Sequence, residues 1–373
     1  MKERKKIGIA TWVGNISLNY GSILQATAMQ KLVKDCGCKP LTISHLFLED
    51  KRKGRFIRFL RNVFRKYGRQ YICTYWKFKC WAKRYMNLSS MCCDNDKVIR
   101  YAIKCDILLC GSDSIWKHDW IRPLFLWDYE EINKPVISYA PSVLQGEIVY
   151  DIGPALKRFV AISGREKKIS EMLSPFTDKK VFTVLDPTLA VESSFWENKS
   201  SHRLIKDDYL ICYFISEPEM HHISVEEIRK KHNLKTVVYI NTNCIDTPYI
   251  RYSDYQGNDY QGVVGPKEFL SLIRYAEVVC TDSFHGTCFS IVFKREFYVF
   301  GRERIWGIDV DQDYRFVDLF NRLSIEDRRI VCNDDIERIR KIDWEEVSKK
   351  LMRERSDSLN YLKTAIEKAK QYG

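Results

Sequence analysis

The sequence predicts two doubly wound α/β domains that face each other across a cleft and are followed by a long carboxyl-terminal helix. Three observations lead there. The 373 residues are 45% apolar and 29% charged, a globular composition at a length that divides naturally into two domains. Short apolar, β-branched runs alternate with helix-period patterns along most of the chain, as expected for parallel sheets covered by helices. The alternation also occurs twice, in two sets separated by a polar stretch at residues 193–206.

In the first set, strands are expected at residues 6–12, 40–44, 106–110, 135–140, 160–163 and 180–185. One helix fills 22–36 and stops at Gly37; another fills 165–173 and stops before Pro175. The second set places strands at 209–215, 236–240, 277–281 and 297–300. Its helices fall at 224–232, at 266–276, where Pro266 suits a first turn, and at 286–293. The expected division is an amino-terminal domain at 1–195 with a basic insertion at about 51–93, a second domain at 206–332, and a helical segment at 333–373 that could pack on either domain. In such sheets a ligand sits at the carboxyl ends of the strands.

The formal net charge of +12 is concentrated rather than spread. Residues 51–93 hold 13 basic residues and no Asp or Glu, which leaves 48 basic against 49 acidic residues elsewhere. At about 100° per residue, 55–69 places Phe56, Ile57, Phe59, Leu60, Val63, Phe64 and Tyr67 on one arc and six basic residues on the other. Two readings stand. A cationic, aromatic helix can lie in the headgroup region of an anionic membrane, or it can be an ordinary surface helix with solvated arginines. Tyr71, Tyr75, Trp76, Phe78 and Trp81 continue the mixture, so 51–84 is the candidate membrane-facing stretch. No helix-turn-helix, zinc-finger or RNP-type pattern accompanies the charge, and no nucleic-acid partner is expected.

No apolar run approaches the roughly 18–20 residues of a membrane-spanning helix, and the amino terminus lacks a secretory apolar core. The expected location is cytoplasmic, with peripheral attachment to the inner face of the membrane as the second reading of the basic stretch. The 13 cysteines include no CxxC pair, so neither a metal site nor a redox dithiol is indicated. Dinucleotide, P-loop, zincin and GxSxG hydrolase motifs are absent.

Polar clusters follow the strands. Gly14, Asn15 and then Asn19-Tyr20-Gly21-Ser22-Ile23-Leu24-Gln25 come after the first, Gly111-Ser112-Asp113-Ser114-Ile115-Trp116 after the third, and Thr281-Asp282-Ser283-Phe284-His285-Gly286 after 277–281. His285, at a strand-to-helix junction beside the N–H groups of a starting helix, suits acid/base or phosphate-binding work; the alternative is a histidine capping its own helix. Arg165 offers a fork of donors to a carboxylate or phosphate, or pairs with Glu166 or Glu171. Asp186-Pro187 reads as an Asx turn, with a catalytic carboxylate as the lesser reading. Asp113 and Trp116 are candidates to grip a polar ligand, the indole offering a sugar ring an apolar face.

In this order the clusters resemble the polysaccharide pyruvyl transferase family, over residues 7 to about 330. The resemblance includes Ser138-Tyr139-Ala140, Ile162-Ser163-Gly164-Arg165-Glu166 and Leu185-Asp186-Pro187-Thr188 as well as the clusters above. It implies two Rossmann-like domains in a GT-B-like arrangement. It also implies transfer of pyruvate from phosphoenolpyruvate, the donor substrate, to two hydroxyls of a sugar on a lipid-linked oligosaccharide or polysaccharide, with no cofactor. Residue by residue, it assigns the donor-binding and catalytic roles to His285 and Arg165. Asn15, Asn19, Tyr20, Gly21, Gln25, Ser112, Asp113, Trp116, Asp282, Ser283, Phe284 and Gly286 are the expected substrate-binding set, with Asp113 or Asp282 as candidate base. The chain departs from the pattern where some members carry Arg-Leu before the histidine: it has Ser283-Phe284, leaving Lys267, Lys294 and Arg295 as candidates to replace the missing cation. A nucleotide-sugar glycosyltransferase and a non-catalytic glycan- or membrane-binding protein are the competing readings.

Overall fold

The computed structural model describes residues 4–13, 18–45, 68–116, 122–143, 151–216, 218–240, 252–253, 259–260, 263–301, 304–305, 308–309 and 313–372. It contains two parallel sheets. The first comprises β1 (Lys6–Ala10), β2 (Lys39–Thr42), β3 (Ile107–Cys110), β4 (Val136–Ser138), β5 (Phe159–Gly164) and β6 (Val181–Thr183), in the order β2-β1-β3-β4-β5-β6. The second draws on β7 (Tyr209–Tyr213), β8 (Thr236–Ile240), β11 (Val278–Thr281), β12 (Glu296–Phe300) and β15 (Arg329–Ile330), in the order β15-β12-β11-β7-β8. Two small antiparallel pairs stand apart: β9 (Tyr252–Ser253) with β10 (Asp259–Tyr260), and β13 (Arg304–Ile305) with β14 (Ile308–Asp309). This is the expected two-sheet Rossmann-like α/β fold. Every strand expected from the sequence is present, its ends shifted by a residue or two, because strands covered on both faces read as continuous apolar runs; β3 and β7 are buried at every position.

One apolar cluster reaches both sheets, joining Ile7 and Ile9 of β1 to Val279 of β11. The helix Tyr20–Asp35 runs through it. Asn19 caps this helix by accepting from Ser22 N at 3.0 Å. The helix packs against Pro187–Ala190, Pro266–Arg274 and Phe284–Val292. Its first residue ties the halves together: the Tyr20 ring stacks on Phe269 at 4.4 Å, and its hydroxyl donates to Val264 O at 2.7 Å. Tyr20→Phe leaves that carbonyl without its donor in a buried place, so a loss of about 1–2 kcal/mol is expected, read as a lowered denaturant midpoint at unchanged slope.

The carboxyl-terminal helix Trp344–Lys370 returns to the first sheet. Tyr361 donates to Ser138 O at 2.9 Å, Leu185 N donates to Ser358 Oγ at 2.9 Å, and Arg355 Nε donates to Leu189 O at 2.7 Å. The polar stretch expected to link the domains is itself packed. Ser193–Glu197 is helical, with Trp196 fully buried and its indole N–H on Thr188 O.

Residues 55–67 of the expected amphipathic helix lie outside the described residues. The basic stretch continues in the helix Gly68–Tyr85, whose Phe78 packs 5.2 Å from Tyr20 and whose Trp81 indole N–H donates to Thr27 Oγ1 at 3.0 Å. Among the described residues no helix is long and apolar enough to cross a membrane, no metal-binding group of side chains occurs, and the cysteines are free thiols.

Candidate functional site

The strand β11 ends at Thr281, and Ser283 caps the helix Phe284–Val292 by accepting from Gly286 N at 3.3 Å. The cap is therefore serine, which leaves the His285 imidazole in the first turn for other work. A side chain at Gly286 would strike Thr281 Oγ1, so the turn needs glycine to bring helix and strand together. His285 reaches across to the other half of the molecule. A Cβ on Gly21 would stand 2.3 Å from its Nδ1, and its Nε2 lies 3.5 Å from Asp186 Oδ2, an ion-pair distance rather than a hydrogen bond.

Arg165 follows β5 directly, and its guanidinium is buried. Nε donates to Glu166 Oε1 at 2.7 Å and Nη1 to Asp186 Oδ2 at 3.1 Å, while its plane lies 4.2 Å from the Phe284 ring. The pairing with Glu166 is present; Glu171 instead faces Lys167. Burial opposes the charge on Arg165, but the Glu166, Asp186 and Asp113 carboxylates outweigh it and hold the guanidinium cationic.

Asp186 is the hub, and its two oxygens divide the labour. Oδ1 makes the Asx turn expected from Asp186-Pro187, accepting from Thr188 N at 2.9 Å and Thr188 Oγ1 at 2.7 Å. Oδ2 accepts from Arg165 and from Ser112 Oγ at 3.1 Å and faces His285. Burial alone would raise its pKa; the imidazole, the guanidinium and Thr188 lower it, so it stands as a buried carboxylate. Arg165 and His285, from opposite sheets, thus meet on one oxygen. Three polar atoms here are buried and have no hydrogen bond among the described residues: Arg165 Nη2, Glu166 Oε2 and His285 Nε2. Two of these atoms, Arg165 Nη2 and His285 Nε2, are nitrogens beside a fixed carboxylate, an arrangement able to meet an anionic group.

The remaining expected residues divide. Asp113 joins the cluster: with φ at 85° it accepts from Ser114 N through Oδ1 and from Ser22 Oγ through Oδ2 at 2.9 Å. Gly21, Ser112 and Phe284 belong to it by the contacts above, and Asn19, Tyr20, Ser283 and Gly286 frame it through caps, stacking and close packing. Gln25 is buried behind it, its amide on Thr11 Oγ1 and Trp12 O. Trp116 does not reach the cleft: it is fully buried in the first sheet's core, with its indole N–H on Phe125 O, and offers a sugar no face. Asp282 is not placed as a base, because its oxygens accept from Ile215 N, Ser216 N and Ser216 Oγ and clamp the loop after β7. Asn15 lies outside the described residues.

The three cations considered as replacements for the missing arginine point elsewhere. Lys267 and Lys294 are exposed, and Arg295, beyond the end of the helix Phe284–Val292, donates to Phe293 O and Ala276 O. A residue without any sequence signal arrives instead. Arg315, from the helix Asp313–Leu323, is buried with its guanidinium 5.6 Å from the same Phe284 ring that Arg165 covers.

The chain is similar to a putative UDP-N-acetylglucosamine 2-epimerase from Listeria monocytogenes (TM-score 0.50, 10% identity, covering 97% of this chain and 91% of that one). It also aligns with UDP-GlcNAc 2-epimerase from Methanocaldococcus jannaschii (TM-score 0.47, 13% identity, 94% and 92%) and with Arabidopsis thaliana UGT89C1 complexed with UDP (TM-score 0.47, 10% identity, 95% and 94%). No curated protein matches the sequence. The family model for polysaccharide pyruvyl transferases matches residues 19–304, a span that holds Gly21, Arg165, Asp186 and His285 together, and the chain belongs to that family.

Proposed function

We propose that the protein transfers pyruvate from phosphoenolpyruvate to two hydroxyls of one sugar, forming a cyclic ketal in cell-surface polysaccharide biosynthesis. The acceptor is a lipid-linked oligosaccharide or polysaccharide, met at the cytoplasmic face of the membrane. The observation that carries the reading is the meeting of Arg165 and His285 on Asp186, each with an open buried nitrogen, in a chain of this family.

The chemistry uses these groups in turn. Arg165 holds the donor's carboxylate or phosphate, and His285 delivers a proton to C3 of the enol. The cation developing at C2 is taken by the first sugar oxygen, whose proton replaces the one delivered. The C2–O bond to phosphate then breaks, the second hydroxyl oxygen bonds to C2, and its proton leaves with inorganic phosphate. Glu166 and Asp186 fix the guanidinium, and the buried carboxylates offset the positive charge at C2.

Calorimetric titration with phosphoenolpyruvate, UDP and GDP tests this. Phosphoenolpyruvate should bind and the nucleotides should not. Arg165→Lys and His285→Gln should weaken donor binding by about ten- to a hundredfold, the scale of a lost charge-assisted hydrogen bond. Binding of a nucleotide with indifference to phosphoenolpyruvate would replace this reading with a glycosyltransferase.

A further inference from the structure

The helix Asp313–Leu323 comes after β12 of the second sheet in the chain, yet one of its faces is bonded to the first sheet. Tyr314, Asp318 and Arg322, at four-residue spacing, share that face. The Tyr314 hydroxyl donates to Val143 O at 2.7 Å, Asp318 Oδ1 accepts from Lys167 N at 3.1 Å, and Arg322 Nη1 donates to Arg165 O at 3.1 Å. The first of these partners lies beyond β4. The other two lie just beyond β5, where Arg165 and Glu166 stand.

Arg322 also reaches a second turn. The same Nη1 stands 3.5 Å from Val184 O, two residues before Asp186. Arg165 and Asp186 are therefore joined twice, once through their side chains at 3.1 Å and once through a guanidinium that spans the backbone of their two turns. The Arg165 backbone is held at its other end as well, where its N–H donates to Pro141 O at 3.1 Å. Arg322 is fixed in turn by two carboxylates. Its Nε donates to Glu354 Oε2 of the carboxyl-terminal helix at 3.1 Å, its Nη2 meets the same oxygen, and Asp318 Oδ2 lies 3.6 Å from Nη1. A planar fork shared between carboxylates and two carbonyls has little freedom to turn.

We propose that Arg322 is a positioning residue: by bridging Arg165 O and Val184 O it sets the separation of the Arg165 and Asp186 turns, and with it the direction of the Arg165 fork, while Glu354 holds Arg322 in place. Arg322 acts through the Arg165 backbone and not on the donor. A partly exposed ion pair with Glu354 would by itself contribute little; the two carbonyls give the residue its role. A shift of about 1 Å in a group that meets the substrate is enough to cost about a hundredfold in rate. The proposal rests on the functional reading above only for the identity of the donor that Arg165 meets.

The full chain is isotope-labelled at its arginine side chains, and hydrogen exchange at two buried Nε–H groups is followed by NMR: that of Arg165, on Glu166 Oε1, and that of Arg328, on Phe297 O in β12. Arg322→Gln should speed exchange at Arg165 about tenfold and leave Arg328 unchanged, the mark of a local opening, and Glu354→Gln should do the same more weakly. Calorimetry should find phosphoenolpyruvate bound about tenfold less tightly by Arg322→Gln, with no further loss when Arg322→Gln is added to Arg165→Lys. Unchanged exchange at Arg165 would overturn the proposal. Equal acceleration at both arginines would overturn it too, by reducing Arg322 to a general stabiliser, as would a full loss of donor affinity from Arg322→Gln in the Arg165→Lys background. If Arg322→Gln does not fold, Glu354→Gln carries the same test with Arg322 still present. Wild-type protein that ignores phosphoenolpyruvate refutes the transfer reading alone, and exchange at Arg165 then decides the positioning role.

Discussion

Asp186→Asn is expected to destabilise the protein by about 3–5 kcal/mol, the scale for removing one partner from a buried ion pair. The carboxylate is 1% exposed and receives donors on both oxygens, Thr188 on one, Arg165 and Ser112 on the other. An asparagine amide turned either way therefore presents N–H groups to N–H or O–H groups, and Arg165 is left buried with Glu166 alone. The effect has a pH signature. The folded-state pKa of Asp186 lies below the ordinary value of about 3.9, so its contribution is complete at neutral pH and is lost as pH falls below that value toward the folded pKa. Asp318, raised by burial, gives the opposite slope but is common to both proteins, so their difference isolates Asp186. Denaturant unfolding across the acid range should show the gap between wild type and Asp186→Asn closing as pH drops. A wild-type midpoint at neutral pH would remove Asp186 as the joint between the two sheets. Turnover should fall with it by about a hundredfold or more, because both Arg165 and His285 lose their common reference point.

The strands and the two-sheet division are legible in the sequence because a parallel strand covered on both faces must be apolar throughout, and few other local structures are. The two-residue β15 has no such run, and it joins its sheet through pairing with β12. At the site, Arg165 and His285 are legible from their positions just after strands, where the chain turns toward the cleft. Asp186 is legible only as a turn, since nothing local reveals that its second oxygen faces residues 21 positions before it and 99 after it. Trp116 and Asp282 sit at equally suggestive junctions, but what covers them decides their roles: Phe125 closes over one and the loop after β7 over the other. Arg315 and Arg322 carry no motif at all. Their significance comes from which helices pack together, and a charge count along the chain averages them away.

Gly21→Ala should be damaging out of proportion to the single methyl it adds. The new methyl would lie 2.3 Å from His285 Nδ1, 2.7 Å from Cγ and 3.1 Å from Cβ. The last two atoms are close to the histidine backbone, so the imidazole cannot swing clear by rotating its far end. The helix Tyr20–Asp35 must move instead, and it is held by the Tyr20 stack on Phe269 and by its own cap at Asn19. Overpacking of this kind costs about 1–3 kcal/mol, against a helix-propensity gain of at most about 1 kcal/mol for alanine over glycine. Clash outweighs propensity, and the displaced imidazole should lower turnover by about a hundredfold. Gly301→Ala, with no atom within 4 Å of the added carbon, is the matched control and should stay within about 0.5 kcal/mol of wild type. The double variant Gly21→Ala/His285→Ala decides where the strain lies. Removing the ring removes the atoms at 2.3 and 2.7 Å, so the double variant should recover most of the stability lost by Gly21→Ala while remaining inactive. Strict additivity of the two changes would place the cost in the helix itself and leave the close approach of Gly21 to His285 without energetic weight.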